Sequence, residues 1–429
     1  MTQQINRSIP PEVSDFVQLR LPQPLTKRLD NGLLVSEINA GPQDVIRLSL
    51  VWSLGYVDID ATKAEVSLCT SLLREGTASR TGFEIAEALE YNGAWLTTTA
   101  DHHSVTINLF ALNSKIEEPI DILLDIISNP TFPEDELVAY RERMAQTEEL
   151  NLQKVSYLCD ILKNSLVYGE TSPLAKSSLP DEIRNIQRKD IINIYSRLIK
   201  NNPPLVFLSG RFSPEIESVV LSKLGGVKFP AASGKRKIVP ICPSEVHILK
   251  QPYPQAVQSA VNISIPTITR SHPDYVALRI LVIMLGGFFG SRLTTNIRED
   301  KGYTYGINAS LIGMYEGGTI SISTQCDNRY VDRVIEEIKA EIGRLSTDGF
   351  SGEEIRNLRR YVKSQLAAIL DSPFNISDYY QLNHTVGTPP DYFDQQFHIA
   401  DALSSDMLTE MALKHIDQEK LYVTVVGQF

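Results

Sequence analysis

One arginine and two tyrosines lie close together in the stretch Arg298-Glu-Asp-Lys-Gly302-Tyr303-Thr-Tyr305. A guanidinium offers a planar fork of donors, and a phenol adds one more. Such a set can hold a peptide carbonyl or carboxylate, or stabilise charge developing on a carbonyl oxygen. The flanking chain must position it. An apolar helical run from Leu281 ends in Gly286-Gly287, a short turn follows, and a second helical piece carries Arg298. Gly302 closes that piece. Glycines after helices are expected as left-handed caps, because glycine takes positive φ without a Cβ clash. An alternating strand then starts at Tyr303-Thr304-Tyr305, which puts both tyrosines on one face. On these residues alone, an ordinary helix cap with an aromatic strand behind it is the weightier reading.

Other candidate chemistry is sparse. None of the seven histidines falls in a His-x-x-Glu-His or His-Glu-x-x-His arrangement. His102-His103 follow Asp101 in a polar loop, and adjacent residues point to opposite sides, so a shared metal is not expected. Gly286-Gly-Phe-Phe-Gly290 superficially suggests a phosphate cradle, but no Gly-Lys-Ser/Thr follows and no β-rich strand precedes it. Ser67 and Ser71 have no local base. The four cysteines, at 69, 159, 242 and 326, form no Cys-x-x-Cys pair. They read as buried small residues in a reducing compartment. With 52 acidic and 41 basic residues, the net charge of −11 argues against nucleic acid or an anionic membrane as partner. The N-terminus has no apolar secretory core, and no apolar run reaches membrane-spanning length. A cytoplasmic location is expected.

At 429 residues the chain exceeds the usual size of a single core, so two domains are expected. Internal echoes agree. Phe132-Pro-Glu-Asp-Glu136-Leu137 and Phe350-Ser-Gly-Glu-Glu354-Ile355 both open long charged helices, at an offset of 218. PLVFLSGRF, ending at Phe212, matches KLYVTVVGQF, ending at Phe429, with Gly210 against Gly427 at an offset of 217. Asp190-Ile-Ile matches Asp406-Met-Leu at 216. Three segments in one order at nearly constant offset indicate a tandem duplication, with a period too long for a solenoid. The expected layout is an extended arm at 1–25, a first α+β domain at 26–228, a linker at 229–245 and a second α+β domain at 246–429. Each domain is expected to be a mostly antiparallel sheet with helices packed on one face. Strands are expected at 33–38, 45–54, 104–112 and 205–209, and a hairpin turn at Asp30-Asn31-Gly32.

This organisation resembles the pitrilysin/insulinase family of zinc peptidases. The resemblance covers nearly the whole chain and runs through Ser53-Leu-Gly55, Leu73-x-x-Gly76-Thr77, Ala88-Leu-Glu-x-x-Gly93-Ala94, Asn129-Pro-x-Phe-Pro133, Gly286-Gly287…Ser291-Arg292-Leu293 and Arg298-Glu-x-x-Gly-x-x-Tyr305. Active members carry His-x-x-Glu-His on the helix before the Gly-Thr. Two histidines at i and i+4 share a helix face and grip zinc, while the glutamate deprotonates the bound water. The matching positions here are Ser67, Thr70 and Ser71, so neither ligand nor base is present. Glu148 matches the family's third ligand best, with Glu142 and Glu149 as competitors.

In two-chain members of the family, one subunit carries the zinc motif and the other an arginine–tyrosine pair. The resemblance therefore implies a non-catalytic, substrate-binding subunit of a heterodimeric zinc metallopeptidase. It would be inactive alone and bind no cofactor, with zinc in a homologous partner. Arg298 would orient the substrate and Tyr305 would donate to the oxyanion, both in trans, within an enclosed chamber suited to unfolded peptides. Tyr303 would be a possible substrate contact. The alternative is a catalytically dead scaffold or assembly subunit of the same fold.

Overall fold

In the computed structural model, which describes Ser8 and residues 18–429, the first half opens on a hairpin. Leu25–Arg28 (β1) and Leu34–Asn39 (β2) pair antiparallel around Asp30-Asn31-Gly32, where Gly32 takes φ +88°. Val45–Trp52 (β3), Trp95–Ala100 (β4), Val105–Leu112 (β5) and Leu205–Gly210 (β6) complete a six-stranded sheet in the order β1-β2-β6-β3-β5-β4. The second half builds Ile248–Pro252 (β7), Gln258–Thr267 (β8), Thr304–Gly313 (β9), Gly318–Asp327 (β10) and Tyr422–Gly427 (β11) into the order β7-β11-β8-β10-β9. Each sheet is antiparallel except at one pair, β2 with β6 and β7 with β11. The same path in both halves is the duplication made visible.

Helices fill the intervals. In the first half they are Lys63–Leu72 (α1), Gly82–Tyr91 (α2), Glu117–Ser128 (α3), Glu134–Asn151 (α4), Val155–Tyr168 (α5), Pro180–Arg184 (α6), Arg188–Tyr195 (α7) and Pro214–Gly225 (α8). In the second they are Tyr275–Gly286 (α9), Val331–Thr347 (α10), Gly352–Ile369 (α11), Pro373–Val386 (α12), Tyr392–Asp401 (α13) and Ser405–His415 (α14). The apolar faces of the helices bury separate cores, one around Leu48, Leu68 and Leu123 and one around Ile263, Leu281 and Ile338. Gly210 and Gly427, matched in sequence, both have positive φ (+124° and +150°). A Cβ would lie 2.2 Å from the Val45 carbonyl oxygen at the first and 2.2 Å from Ser259 Oγ at the second. Only glycine fits this close approach.

The sequence placed helices on one face of each sheet; the other faces are covered by an exchange between the halves. Helix α5 of the first half packs on β8 and β11, with Cys159, Ala260 and Val426 buried between them. Helix α12 of the second half packs on β2 and β6. From β3, Arg47 reaches Asp378 at 2.6 Å and the Phe374 carbonyl at 2.9 Å.

Some expectations change. Strand β4 was not foreseen, and Cys242 is exposed while the other three cysteines are buried. The segment between Gly225 and Ile248 carries no helix or strand. Apart from Ser8, residues 1–17 of the expected arm lie outside the described residues. Within 18–24 there is no regular element, and Leu21 packs with Leu366, Ile376 and Phe393. Among the described residues no helix is long and apolar enough to cross a membrane.

Candidate functional site

Helix α9 delivers the chain to the arginine–tyrosine stretch. Gly287, at its end, has φ −93°, so this cap is not left-handed as expected. The glycines serve close approach instead. A Cβ on Gly286 would fall 2.7 Å from Ala309 Cβ, so α9 lies directly on β9. We expect Gly286→Ala to overpack this contact and cost about 1–3 kcal/mol. Thermal melting checks it, and an unchanged Tm would mean that α9 and β9 separate freely.

Thr294–Asp300 then forms a π-turn, a widened helix that is common at functional sites. Ile297 anchors it in the core, Asn296 donates to Glu341 at 2.7 Å, and Lys301 pairs with Glu337 at 2.5 Å. Gly302 has φ +63°, and Tyr303 N–H closes the turn on the Ile297 carbonyl at 3.0 Å. This glycine is the left-handed cap the sequence indicated.

The two tyrosines then separate. Tyr303 precedes β9, stacks on Tyr330 at 4.6 Å and packs against the second core. Tyr305 is 88% exposed. The cause is a β-bulge, since Thr304 pairs with Cys326 but Ile307 pairs with Thr324. Thr304 Oγ1 accepts from Gly306 N–H at 3.1 Å and lies 2.7 Å from Thr324 Oγ1, which donates to the Gly306 carbonyl at 2.8 Å. A bulge re-aims a side chain, and this one turns the phenol outward. Arg298 lies between two exposed rings, its guanidinium carbon 5.0 Å from the Phe289 centroid and 5.3 Å from that of Tyr305. Among the described residues it forms no ion pair or hydrogen bond. The Tyr305 phenol is therefore presented outward, beside a half-buried Arg298 guanidinium held by aromatic contacts.

The matching helix of the first half is α1, started by a Thr62–Glu65 capping box. Ser67 and Ser71 are half-buried. Thr70 is 2% exposed, and its hydroxyl donates to the Ser67 carbonyl at 3.1 Å. Ser67 borders a cleft of about 500 Å³ with Glu148, Tyr157 and Asp160. Glu148 accepts from the Tyr157 hydroxyl at 2.7 and 2.9 Å. Burial and this carboxylate push the Tyr157 phenol up, which keeps it a donor. Glu142 and Glu149 instead engage Arg184, at 3.0 and 2.7 Å. Neutral hydroxyls, one of them spent on its own helix, do not fit zinc, and Glu148 has no imidazole beside it on α1. The cleft does not reach Arg298 or Tyr305, although Asp160 also borders a smaller cavity that includes Gly306 and Thr324.

From the sequence, His103 reads only as a polar-loop residue. Its loop position hides a bridge between the halves. Nδ1 lies 3.0 Å from Asp58 and Nε2 2.9 Å from Glu316, and both carboxylates are fully buried. Burial alone would lower its pKa, but the two carboxylates more than offset that and lift it to about 9. The partners lie 45 and 213 positions away, so no local signal pointed to them.

Two family models match the chain. The insulinase (peptidase family M16) model matches residues 67–168, and the peptidase M16 inactive-domain model matches residues 185–362. The beta subunit of the rat mitochondrial-processing peptidase is 21% identical over 96% of this chain and 86% of its own. The Helicobacter pylori non-peptidase homolog YmxG is 22% identical over 69% of this chain and 68% of its own. In fold, a peptidase M16 inactive-domain structure from Pseudomonas fluorescens is similar, with a TM-score of 0.85 and 21% identity over 95% of this chain and 98% of that one.

Proposed function

The chain belongs to the insulinase family of peptidases, and we propose that it is a non-catalytic, substrate-binding subunit working beside a zinc-bearing homologous chain. The observation that carries this reading is the exposed Tyr305 phenol beside Arg298 in a chain whose α1 has Ser67, Thr70 and Ser71 where the zinc ligands and base would stand. A pure scaffold needs neither a guanidinium without an ion pair among the described residues nor a bulge that exposes a phenol. Arg298 binds the backbone or a carboxylate of an unfolded peptide held by the partner. Tyr305 donates to the scissile carbonyl oxygen as negative charge develops there. The names of two relatives, a subunit of a processing peptidase and a non-peptidase homologue, agree with a family role that does not require zinc in every chain.

Purified alone, the chain should cleave no unfolded peptide, with or without added zinc. Mixed with a zinc-bearing family member from the same cell, it should support cleavage that a chelator abolishes. Chelator-sensitive cleavage by the chain alone would overturn this reading.

A further inference from the structure

The geometry points to a second, unrelated site: His272, Asp274 and His415 form a binding site for a divalent transition-metal ion of the zinc class. Two distant segments converge there, the turn leading into α9 and the last turn of α14. His415 Nε2 lies 2.7 Å from Asp274 Oδ2, and His272 Nδ1 lies 4.0 Å from the same oxygen. Donor atoms of all three residues lie within 4.8 Å of one another. Zinc bonds of about 2.0–2.2 Å set tetrahedral ligands roughly 3.3 Å apart, so sub-ångström to ångström-scale shifts close the site. Two imidazoles and one carboxylate select zinc, cobalt or nickel over magnesium or calcium.

Asp274 supplies an independent sign. It occupies the N-cap of α9, where a carboxylate ordinarily accepts from the first turn, yet it makes no capping bond and turns to the histidines. Lys414 competes for the same oxygen at 2.5 Å. Its side chain is half-exposed, so water can solvate the ammonium if a metal takes the oxygen. His272 Nδ1 accepts the Asp274 N–H at 3.1 Å, a bond that a metal would replace. No spacing in the sequence points to this cluster, because His415 stands 141 positions from Asp274. The site is separate from α1 and restores no peptidase chemistry. It pins the start of α9, the helix that delivers the Arg298 segment, to α14.

Titrating the full chain with zinc chloride by calorimetry, and with cobalt(II) by visible spectroscopy, tests the site. One equivalent should bind, with the ligand-field bands of a nitrogen-containing set. His272→Ala, at a partly exposed position, should weaken zinc at least about tenfold. His415→Ala should weaken it further, Lys414→Met should tighten it, and Ser67→Ala should change nothing. No binding, or affinity unaltered in both histidine variants, would overturn the inference, the latter by showing adventitious binding elsewhere. Neither result bears on the proposed role of Arg298 and Tyr305.

Discussion

In the assembled pair, Tyr305→Phe should lower kcat roughly a hundredfold while KM changes little, because losing one oxyanion donor costs about 3 kcal/mol of transition-state stabilisation. The substitution removes one hydroxyl and leaves the ring. Tyr305 is almost fully exposed, and its ring contact with Arg298 does not involve the hydroxyl, so the fold loses nothing. A contact made only in the transition state appears in kcat. Arg298→Ala should behave differently. A charge-assisted bond to the peptide exists before reaction, so KM should rise as kcat falls. Steady-state kinetics on the complex separates the two. Wild-type turnover in the Phe variant would leave a helix cap and a strand aromatic, and the scaffold reading would replace this one.

The second large effect concerns the bridge between the halves. His103→Ala should destabilise the chain by about 3 kcal/mol or more, because it strands the buried Asp58 and Glu316 carboxylates without their shared cation. The pH dependence follows from the direction of each shift. The folded pKa of His103, about 9, lies above the ordinary 6.5. Its contribution is therefore full below about pH 6.5 and is lost as pH rises through 9. Burial would raise the Glu316 carboxyl, but His103 holds it below its ordinary value. Its contribution is lost instead as pH falls through that lowered value. Denaturant unfolding across pH 5–10 should show wild-type stability declining above neutrality. His103→Gln, which keeps one hydrogen bond but no charge, should flatten that decline. A wild-type curve flat from pH 6.5 to 9 would remove the ion pair from the account.

Much of this was legible because it is local or periodic. Gly302 announced a left-handed cap, and the Gly210–Gly427 match announced the duplication, because each follows from what a glycine alone permits. The missing zinc motif needed only a count along one helix. What escaped the sequence depends on contacts made across it. Strand β4 (Trp95-Leu-Thr-Thr-Thr-Ala100) is a sheet edge without a buried face, so its apolar alternation is weak. The separation of Tyr303 from Tyr305 depends on Thr304 meeting Thr324 across a bulge, whereas the sequence indicated only a regular strand. The exchange of α5 and α12 and the bridge at His103 are encoded in residues far apart, with no spacing rule to find them.

In the proposed function, Arg298 and Tyr305 act on substrate held by another chain. Titrating a fixed amount of the zinc-bearing homologue with this chain, while following peptide turnover, tests it most directly. Wild type should raise turnover to a plateau at one equivalent. The double variant Arg298→Ala/Tyr305→Phe should associate at the same ratio and leave turnover near that of the zinc-bearing chain alone. A double variant that raises turnover as far as wild type would contradict it.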